Sequence, residues 1–182
     1  MKDLKEKTIH KEYKFKGIVV NLRTDDAETA DGMKVKREVV EHPGGVAIAM
    51  EDEEGRFWLV RQWRYAQERA LLEFPAGKNE FGEDPMDTGM REIIEETGYA
   101  GANFVYLGEI VPTGAYDSEV IHLYYAVQGE YLGQHLDADE NLHIEKYTLD
   151  ELTEMIMRGE IIDAKTIAMT FMIKERKRRQ HG

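Results

Sequence analysis

The sequence predicts an α/β protein with one hydrophobic core and a β extension at its N-terminus. Segments rich in Val and Ile, bounded by turn residues, recur on both sides of one clearly delimited central helix. The run Pro43-Gly44-Gly45 breaks the chain after the first two of these segments. Residues 1–42 are therefore expected to form the β extension, and residues 43–182 the main domain.

The expected strands can be placed in chain order. The extension contains two, Tyr13 to Leu22 and Met33 to Val40, and Asp31-Gly32 is a hairpin turn signal before the second. Five more are expected in the main domain: Gly45 to Met50, Arg56 to Trp63, Phe104 to Val111, Glu119 to Val127 and Ile144 to Thr148. Asp150 and Asp163 are expected to cap two C-terminal helices, because aspartate favours the N-cap position.

The central helix is predicted over residues 85–97. Asp84 is suited to cap it, Pro85 to open it and Gly98 to follow its last residue. An apolar stripe should face the core, formed by Met86, Met90, Ile93, Ile94 and Thr97.

Three carboxylates, Glu92, Glu95 and Glu96, are expected on the side of this helix opposite the apolar stripe. Residues three or four apart are neighbours on a helix, so like charges there cost about 0.2–0.5 kcal/mol per pair. A hard divalent cation such as Mg²⁺ would turn this repulsion into coordination. For the helix taken alone, however, a plain solvated surface is the better explanation.

The charge, the lack of cysteine and the short apolar runs of the chain argue against several kinds of function. A net charge of −12 argues against general nucleic-acid binding, which needs cations to replace phosphate counterions. The absence of cysteine excludes disulfides, thiol nucleophiles and cysteine-bound zinc. The longest apolar runs, such as residues 46–50, are too short to span a bilayer, and the N-terminus lacks the apolar stretch of a signal peptide. A cytoplasmic protein without membrane or nucleic-acid partners is expected.

The segment around the central helix resembles the Nudix box. Five residues separate Gly77 from Glu83, and seven more separate Glu83 from Arg91-Glu92-Ile93-Ile94-Glu95-Glu96-Thr97-Gly98-Tyr99. Every position of the pattern fits, with Tyr99 in the last apolar place. Arg91 and Glu83 are expected to be structural, and helical spacing would let Arg91 pair with Asp87 or with Glu95.

This resemblance implies an α/β/α sandwich with a mixed central sheet, in addition to the N-terminal β-sheet extension. It also implies pyrophosphate hydrolysis with Mg²⁺ as cofactor and Mn²⁺ as the alternative ion. In the family, the metal is held at positions that correspond to Glu92, Glu96 and the backbone carbonyl of Ala76. Glu95 would be a catalytic residue, either as an auxiliary ligand or by holding a water beside the metal.

The flanks narrow the branch of the family. Arg61-Gln62-Trp63-Arg64-Tyr65, Glu73-Phe74-Pro75-Ala76-Gly77 and the extension resemble bacterial ADP-ribose pyrophosphatases and their relatives that hydrolyse nucleoside diphosphate sugars. The implied substrates are ADP-ribose, GDP-mannose and similar sugars, and the products are a nucleoside monophosphate and a sugar phosphate. In those relatives two subunits exchange the extension, which helps to form the base pocket, so a homodimer is implied.

Four residues outside the box receive roles from the same resemblance. Glu140, in the acidic run of residues 137–141, would be the general base that deprotonates the attacking water. Glu119 matches a glutamate that contacts the distal sugar, and Arg37 and Arg64 match positions that grip phosphates or the terminal sugar. The arginine fork suits phosphate oxygens. Each residue also has a plainer explanation, as part of a solvated loop, the start of an exposed strand or a surface ion pair.

Two other functions stay open. One is hydrolysis of dinucleoside polyphosphates or capped RNA, although the acidic charge and the flanks argue against RNA. The other is a catalytically silent Nudix domain that senses nucleotides. Such domains usually lose box glutamates, and this chain retains all of them.

Overall fold

The computed structural model describes residues 3–80, 82–136 and 141–180. The chain forms two compact units. The first combines Met1–Gly44 with Val111–Val120, and the second combines Gly45–Ile110 with Ile121–Gly182. The expected extension thus lies in a unit that also takes in a segment from much later in the chain.

The first unit is built on an antiparallel sheet of three strands. These are β1 (Lys7–Lys16), β2 (Asn21–Glu28) and β3 (Lys34–Glu41), with β2 in the middle. The prediction of one strand from Tyr13 to Leu22 is wrong, because a turn closed by the Gly17 N–H and the Val20 carbonyl (3.0 Å) divides it. The Val and Ile content of this segment suggested a strand, yet Ile18 is fully exposed in the turn.

The later segment of the first unit runs alongside the end of β3. The Val40 N–H donates to the Tyr116 carbonyl at 2.8 Å, and the Ser118 N–H donates to the Val40 carbonyl at 3.0 Å. These bonds fix the position of the loop that carries Glu119.

In its described residues, the second unit contains a seven-stranded sheet and three α-helices. The strands are β4 (Gly45–Glu51), β5 (Arg56–Arg64), β6 (Arg69–Glu73), β7 (Ala76–Lys78), β8 (Tyr99–Ile110), β9 (Ile121–Tyr131) and β10 (Leu142–Thr148). The helices are α1 (Pro85–Thr97), α2 (Leu149–Met157) and α3 (Ala164–Gln180). The strand order is β10-β5-β4-β9-β8, with β6 beside β5 and β7 beside β4. Since β4 and β9 are parallel and the other pairs antiparallel, the sheet is mixed, as predicted.

Helices cover both faces of this sheet. Ala47 and Ala49 of β4 belong to one buried cluster with Leu152 of α2 and Met169 of α3. The alternate β4 residues 46, 48 and 50 belong to a second cluster with Ile93 of α1. Because successive side chains of a strand point to opposite faces, α1 lies on one face and α2 and α3 on the other. The predicted α/β/α sandwich is confirmed. None of the helices in the described ranges is long and apolar enough to cross a membrane.

Helix α1 begins and ends where predicted, but its buried face differs. The Asp84 carboxylate accepts the Met86 N–H at 2.8 Å as the N-cap. Met90, however, is 43% exposed, and the buried residues are Thr88, Gly89, Ile93, Glu96 and Thr97. A β-carbon on Gly89 would lie 2.7 Å from Cδ1 of Ile48, so glycine lets the helix approach β4 closely. The helix is therefore turned, and the prediction that Glu96 lies on the side away from the core is wrong.

Helix α2 is capped by a different residue from the one predicted. Thr148 and Glu151 form a capping box, whereas Asp150 lies inside the first turn and pairs with Lys174 at 3.0 Å. Asp163 precedes α3 as predicted, and its carboxylate accepts the Thr166 N–H at 2.9 Å.

Candidate active site

The first glycine of the box, Gly77, and the glutamate Glu92 meet where β7 and α1 pack together. Gly77 pairs with Val46 of β4, so its backbone is held in the sheet. A β-carbon on Gly77 would lie 1.9 Å from Cδ of Glu92 and 2.1 Å from its Oε1. Only glycine leaves room for this carboxylate. Glu92 therefore packs against the backbone that immediately follows Ala76.

Arg91 holds the surrounding carboxylates. Its Nη1 donates to Glu92 and to Glu95 at 2.9 Å each, and its Nη2 lies 3.4 Å from Glu83. Thr88 donates its hydroxyl proton to Glu83 at 2.7 Å. Burial lowers the pKa of Arg91, but the hydrogen bond to Glu83 and the charges of Glu92 and Glu95 outweigh it and raise the pKa. Of the two predicted partners, the structure pairs Arg91 with Glu95.

The box glutamates do not form a solvated surface. Glu96 is 2% exposed, and its backbone carbonyl accepts the side-chain amide of Gln134 at 2.6 Å. Glu92 and Glu95 are half-buried. Exposed carboxylates would need no explanation, whereas buried ones must be compensated by cations or hydrogen bonds.

Arg64 lies at the end of β5 and pairs with a buried carboxylate. Its Nε and Nη2 each donate to Glu73 at 2.7 Å, and Glu73 also binds Lys165 from the first turn of α3. The hydrogen bonds to Glu73 raise the pKa of Arg64 against the opposing effect of burial, with smaller contributions from the charges of Asp163 and Glu96.

Glu73 and Lys165 had no role in the sequence analysis. Glu73 is 1% exposed and Lys165 is 7% exposed. The available signal was a carboxylate inside the apolar run Leu71-Leu72-Glu73-Phe74, since acidic side chains are seldom fully buried unless they are paired. Its cation partners could not be read from the sequence, because Lys165 lies 92 residues away.

The other sequence-predicted residues belong to the first unit or fall outside the described ranges. Arg37 and Glu119 belong to the first unit. Arg37 is bound to Glu6 through its Nε at 2.9 Å and its Nη2 at 2.5 Å. Oε1 of Glu119 lies 3.6 Å from Nδ1 of His42, which accepts the Gly44 N–H at 3.1 Å. Glu140 lies outside the residues that the structure describes.

Comparison with known proteins decides the family. The family model of the NUDIX domain matches residues 41–169, more than half of the chain. The chain belongs to the Nudix family. The family predicted from the box is thereby confirmed, and with it the enzyme class, a Nudix pyrophosphohydrolase.

Individual Nudix relatives match nearly the whole chain. It is 38% identical over 168 residues to an ADP-ribose pyrophosphatase of Bacillus subtilis, with 91% of each chain covered. It is 40% identical over 164 residues to a methanol dehydrogenase activator of Bacillus methanolicus, with 89% of each covered. A crystal structure of an ADP compounds hydrolase superimposes with a TM-score of 0.85 at 18% identity, covering 99% of this chain and 98% of the other. At that identity the structural match shows a shared fold.

The donors around Glu92 fit Mg²⁺ in chemical type. Magnesium takes oxygen ligands, and the box offers carboxylates beside the backbone carbonyl that precedes Gly77. The close packing of Gly77 and Glu92 brings one of these carboxylates against the backbone that follows Ala76. Within residues 3–80, 82–136 and 141–180, no three or more His, Asp or Glu side chains are already arranged around a metal position. Because Arg91 binds Glu92 and Glu95, an incoming cation would compete with it for carboxylate oxygens.

Proposed function

We propose that this Nudix protein hydrolyses the pyrophosphate bond of nucleoside diphosphate sugars, with Mg²⁺ as cofactor and Mn²⁺ as the alternative ion. ADP-ribose is the first candidate substrate, because the Bacillus subtilis relative is named for it, and GDP-mannose belongs to the same chemical class. The observation that carries the proposal is the packing of Glu92 against Gly77. It brings the Glu92 carboxylate against the backbone beside Ala76, where carboxylate and carbonyl oxygens together would suit a cation that neutralises pyrophosphate charge.

Different residues would bind the metal, accept the proton and hold the attacking water. Glu92, Glu96 and the Ala76 carbonyl would hold the magnesium, which when bound neutralises phosphate charge and makes water more acidic. Glu140 accepts the proton of the attacking water, whose oxygen bonds to one phosphorus as the bridging P–O bond of the pyrophosphate breaks. Glu95 holds that water or serves as an auxiliary ligand. The products are a nucleoside monophosphate and a sugar phosphate.

Arg64 is proposed to bind a substrate phosphate while it stays paired with Glu73. The pair uses Nε and Nη2, on one edge of the guanidinium. Nη1 lies on the other edge, and the side chain is 40% exposed. Glu73 would thus fix the plane of the guanidinium so that Nη1 meets a phosphate oxygen in a set orientation.

Arg37 and Glu119 are proposed to contact the sugar. Glu119 is held near His42, on a loop fixed to β3. Arg37 would have to exchange Glu6 for the substrate, and because both side chains are partly exposed this surface ion pair costs little to break.

Product analysis tests the reaction. Purified protein should convert ADP-ribose to AMP and ribose 5-phosphate with Mg²⁺ but not with a chelator. GDP-mannose and a dinucleoside polyphosphate are assayed as substrates in the same way.

Glu140→Gln is expected to lower turnover on the order of a hundredfold with the fold kept, because a general base contributes at least that much. Glu54→Gln, in an exposed turn, is the matched control and should keep full activity. Wild-type turnover in Glu140→Gln would refute the base assignment, and exclusive cleavage of the polyphosphate would refute the substrate class.

One relative favours a second candidate function. The Bacillus methanolicus protein is named for activating another enzyme, and it is as similar to this chain as the ADP-ribose pyrophosphatase. Adding the purified chain to a methanol dehydrogenase assay, with and without Mg²⁺, tests this role. Stimulation by the Glu140→Gln variant would separate activation from hydrolysis.

We also propose a homodimer in the cytoplasm, formed through the exchanged extension of residues 1–42. Strand β1 is exposed along its whole length and is an edge strand of its three-stranded sheet. The first unit also exposes large apolar side chains, among them Ile9, Phe15, Ile18 and Leu22. Exposed edges and apolar patches of this kind are typical of interaction surfaces.

Sedimentation equilibrium tests the dimer. The wild-type chain should sediment as a dimer at micromolar concentration, and Phe15→Asp should sediment as a monomer, because the new charge would be buried in the interface. Met157→Asp, at a residue that is 73% exposed on α2, is the matched control and should remain dimeric. A monomeric wild-type chain would contradict the proposal.

A further inference from the structure

Thr166, in the first turn of α3, makes a contact that links this helix to the segment carrying the proposed metal ligand Ala76. Its side chain is fully buried. Its hydroxyl oxygen accepts the backbone N–H of Phe74 at 2.9 Å, across 92 residues of sequence. Phe74 and Pro75 are the two residues between β6 and β7, directly before Ala76.

The orientation of this hydroxyl is fixed by Asp163. Thr166 donates its hydroxyl proton to Oδ2 of Asp163 at 2.6 Å, and its backbone N–H reaches the same oxygen at 2.9 Å. A threonine hydroxyl has one proton to donate and two lone pairs. Because Asp163 takes the proton, a lone pair is directed at Phe74.

Neighbouring contacts hold the rest of the segment. Lys165, the residue before Thr166, binds the carboxylate of Glu73. On the other side, the Pro75 carbonyl accepts the Ile48 N–H of β4 at 2.9 Å. The backbone entering Ala76 is therefore held from α3 at residues 73 and 74 and from β4 at residue 75. The hydrogen bond from the Phe74 N–H to the Thr166 hydroxyl fixes the Glu73–Phe74 peptide, two residues before the proposed ligand Ala76.

We propose that Thr166 is a positioning residue for the metal site: its hydroxyl sets the path of residues 74–76 and thereby the direction of the Ala76 carbonyl. This inference rests on the proposed function, since it takes Ala76 as a metal ligand. Groups that orient a ligand without touching the metal commonly change its affinity by 10–100-fold when removed.

Direct measurement of Mn²⁺ binding by electron paramagnetic resonance, on the full chain without substrate, tests the inference. Thr166→Val keeps the shape of the side chain but cannot accept the Phe74 N–H, so the Kd for Mn²⁺ should rise on the order of tenfold or more. Thr166→Ser restores the hydroxyl and should restore the affinity. The ratio of kcat to KM should fall in Thr166→Val and recover when the Mn²⁺ concentration is raised.

Thr170→Val is the matched control. Thr170 is also fully buried on α3, and its hydroxyl donates to the Thr166 carbonyl at 2.8 Å, within the helix. Both variants should lower Tm, but Thr170→Val should keep the wild-type affinity for Mn²⁺. If Thr166→Val does not fold, Thr166→Cys is used, because a thiol is a weak acceptor and the chain has no other cysteine.

The outcomes separate this inference from the proposed function. Equal Mn²⁺ affinities in Thr166→Val, or in its cysteine replacement, and in Thr170→Val would overturn the positioning role and leave the proposed function standing. A wild-type chain that binds no Mn²⁺ would overturn both. Weakened binding in the Thr166 variant, with rescue by serine, supports the positioning role.

Discussion

Gly77→Ala is expected to lower kcat/KM on the order of a thousandfold while the protein stays folded. The new β-carbon would lie 1.9 Å from Cδ of Glu92, a distance that no packing can tolerate. The clashing atoms are the far end of a flexible side chain, so Glu92 would rotate away rather than push α1 off the sheet. If Glu92 holds the metal as proposed, its loss would remove several kcal/mol of transition-state stabilisation, and each 1.36 kcal/mol is a factor of ten.

Gly82→Ala is the matched control for this experiment. Gly82 lies in the loop that follows β7 and leads to α1, and a β-carbon there would meet nothing within 4 Å. Its positive φ of 82° makes alanine strained, so a loss of stability of about 1 kcal/mol is expected with full activity. Steady-state kinetics and urea denaturation of both variants separate the two effects. Near-normal kcat/KM in Gly77→Ala would show that Glu92 is not needed where the structure places it.

The features that the sequence predicted correctly are those encoded by neighbouring residues. The limits of α1 follow from Asp84, Pro85 and Gly98, each of which acts on the backbone within one turn. Its buried face could not be predicted in the same way. The spacing of apolar residues placed Met90 on the stripe that should face the core. In the structure, the close approach of Gly89 to β4 decides which side of α1 is buried. That approach depends on a strand some 40 residues earlier in the chain.

In the site, too, the features set by neighbouring residues were predictable and those set by distant contacts were not. The box pattern identified the family and its carboxylates, but the reason for its first glycine appears only when Glu92 is seen against Gly77. The cations around Glu73 come from β5 and from α3, so the sequence offered only a lone acid in an apolar run. The resemblance predicts that Arg64 grips a phosphate or the terminal sugar, but it does not predict the bidentate pair with Glu73.

Glu73→Gln is expected to destabilise the protein by about 3 kcal/mol at pH 7, because breaking a buried ion pair leaves uncompensated charge. Glu73 binds both Arg64 and Lys165, and it is almost completely buried. The Asp163 carboxylate, 3.1 Å from Lys165, keeps part of the compensation in the variant. Urea denaturation at pH 7 measures this loss.

The pH dependence of the same variant identifies the cause. Burial alone would raise the pKa of Glu73, but its hydrogen bonds with Arg64 and the charges of Lys165 and Arg64 outweigh it and lower the pKa from 4.5 to about 2. A depressed pKa stabilises the fold above the unfolded value, and the contribution is lost as pH falls from 4.5 through 2. The difference in unfolding free energy between wild type and Glu73→Gln should therefore shrink over that range.

Glu175→Gln is the matched control, because Glu175 is paired with arginines as Glu73 is but is not buried. Arg178 and Arg179 lower the pKa of Glu175 to about 2 as well, but this pair lies in solvent at the end of α3. Exposed ion pairs contribute little because water screens them, so Glu175→Gln should leave stability unchanged at pH 7. The contrary result would be a difference in unfolding free energy between wild type and Glu73→Gln that stays constant from pH 7 to pH 2. In that case the ionised Glu73 would not be what holds α3 against β5 and β6. The proposed contact between Nη1 of Arg64 and a substrate phosphate would then need another anchor for the guanidinium.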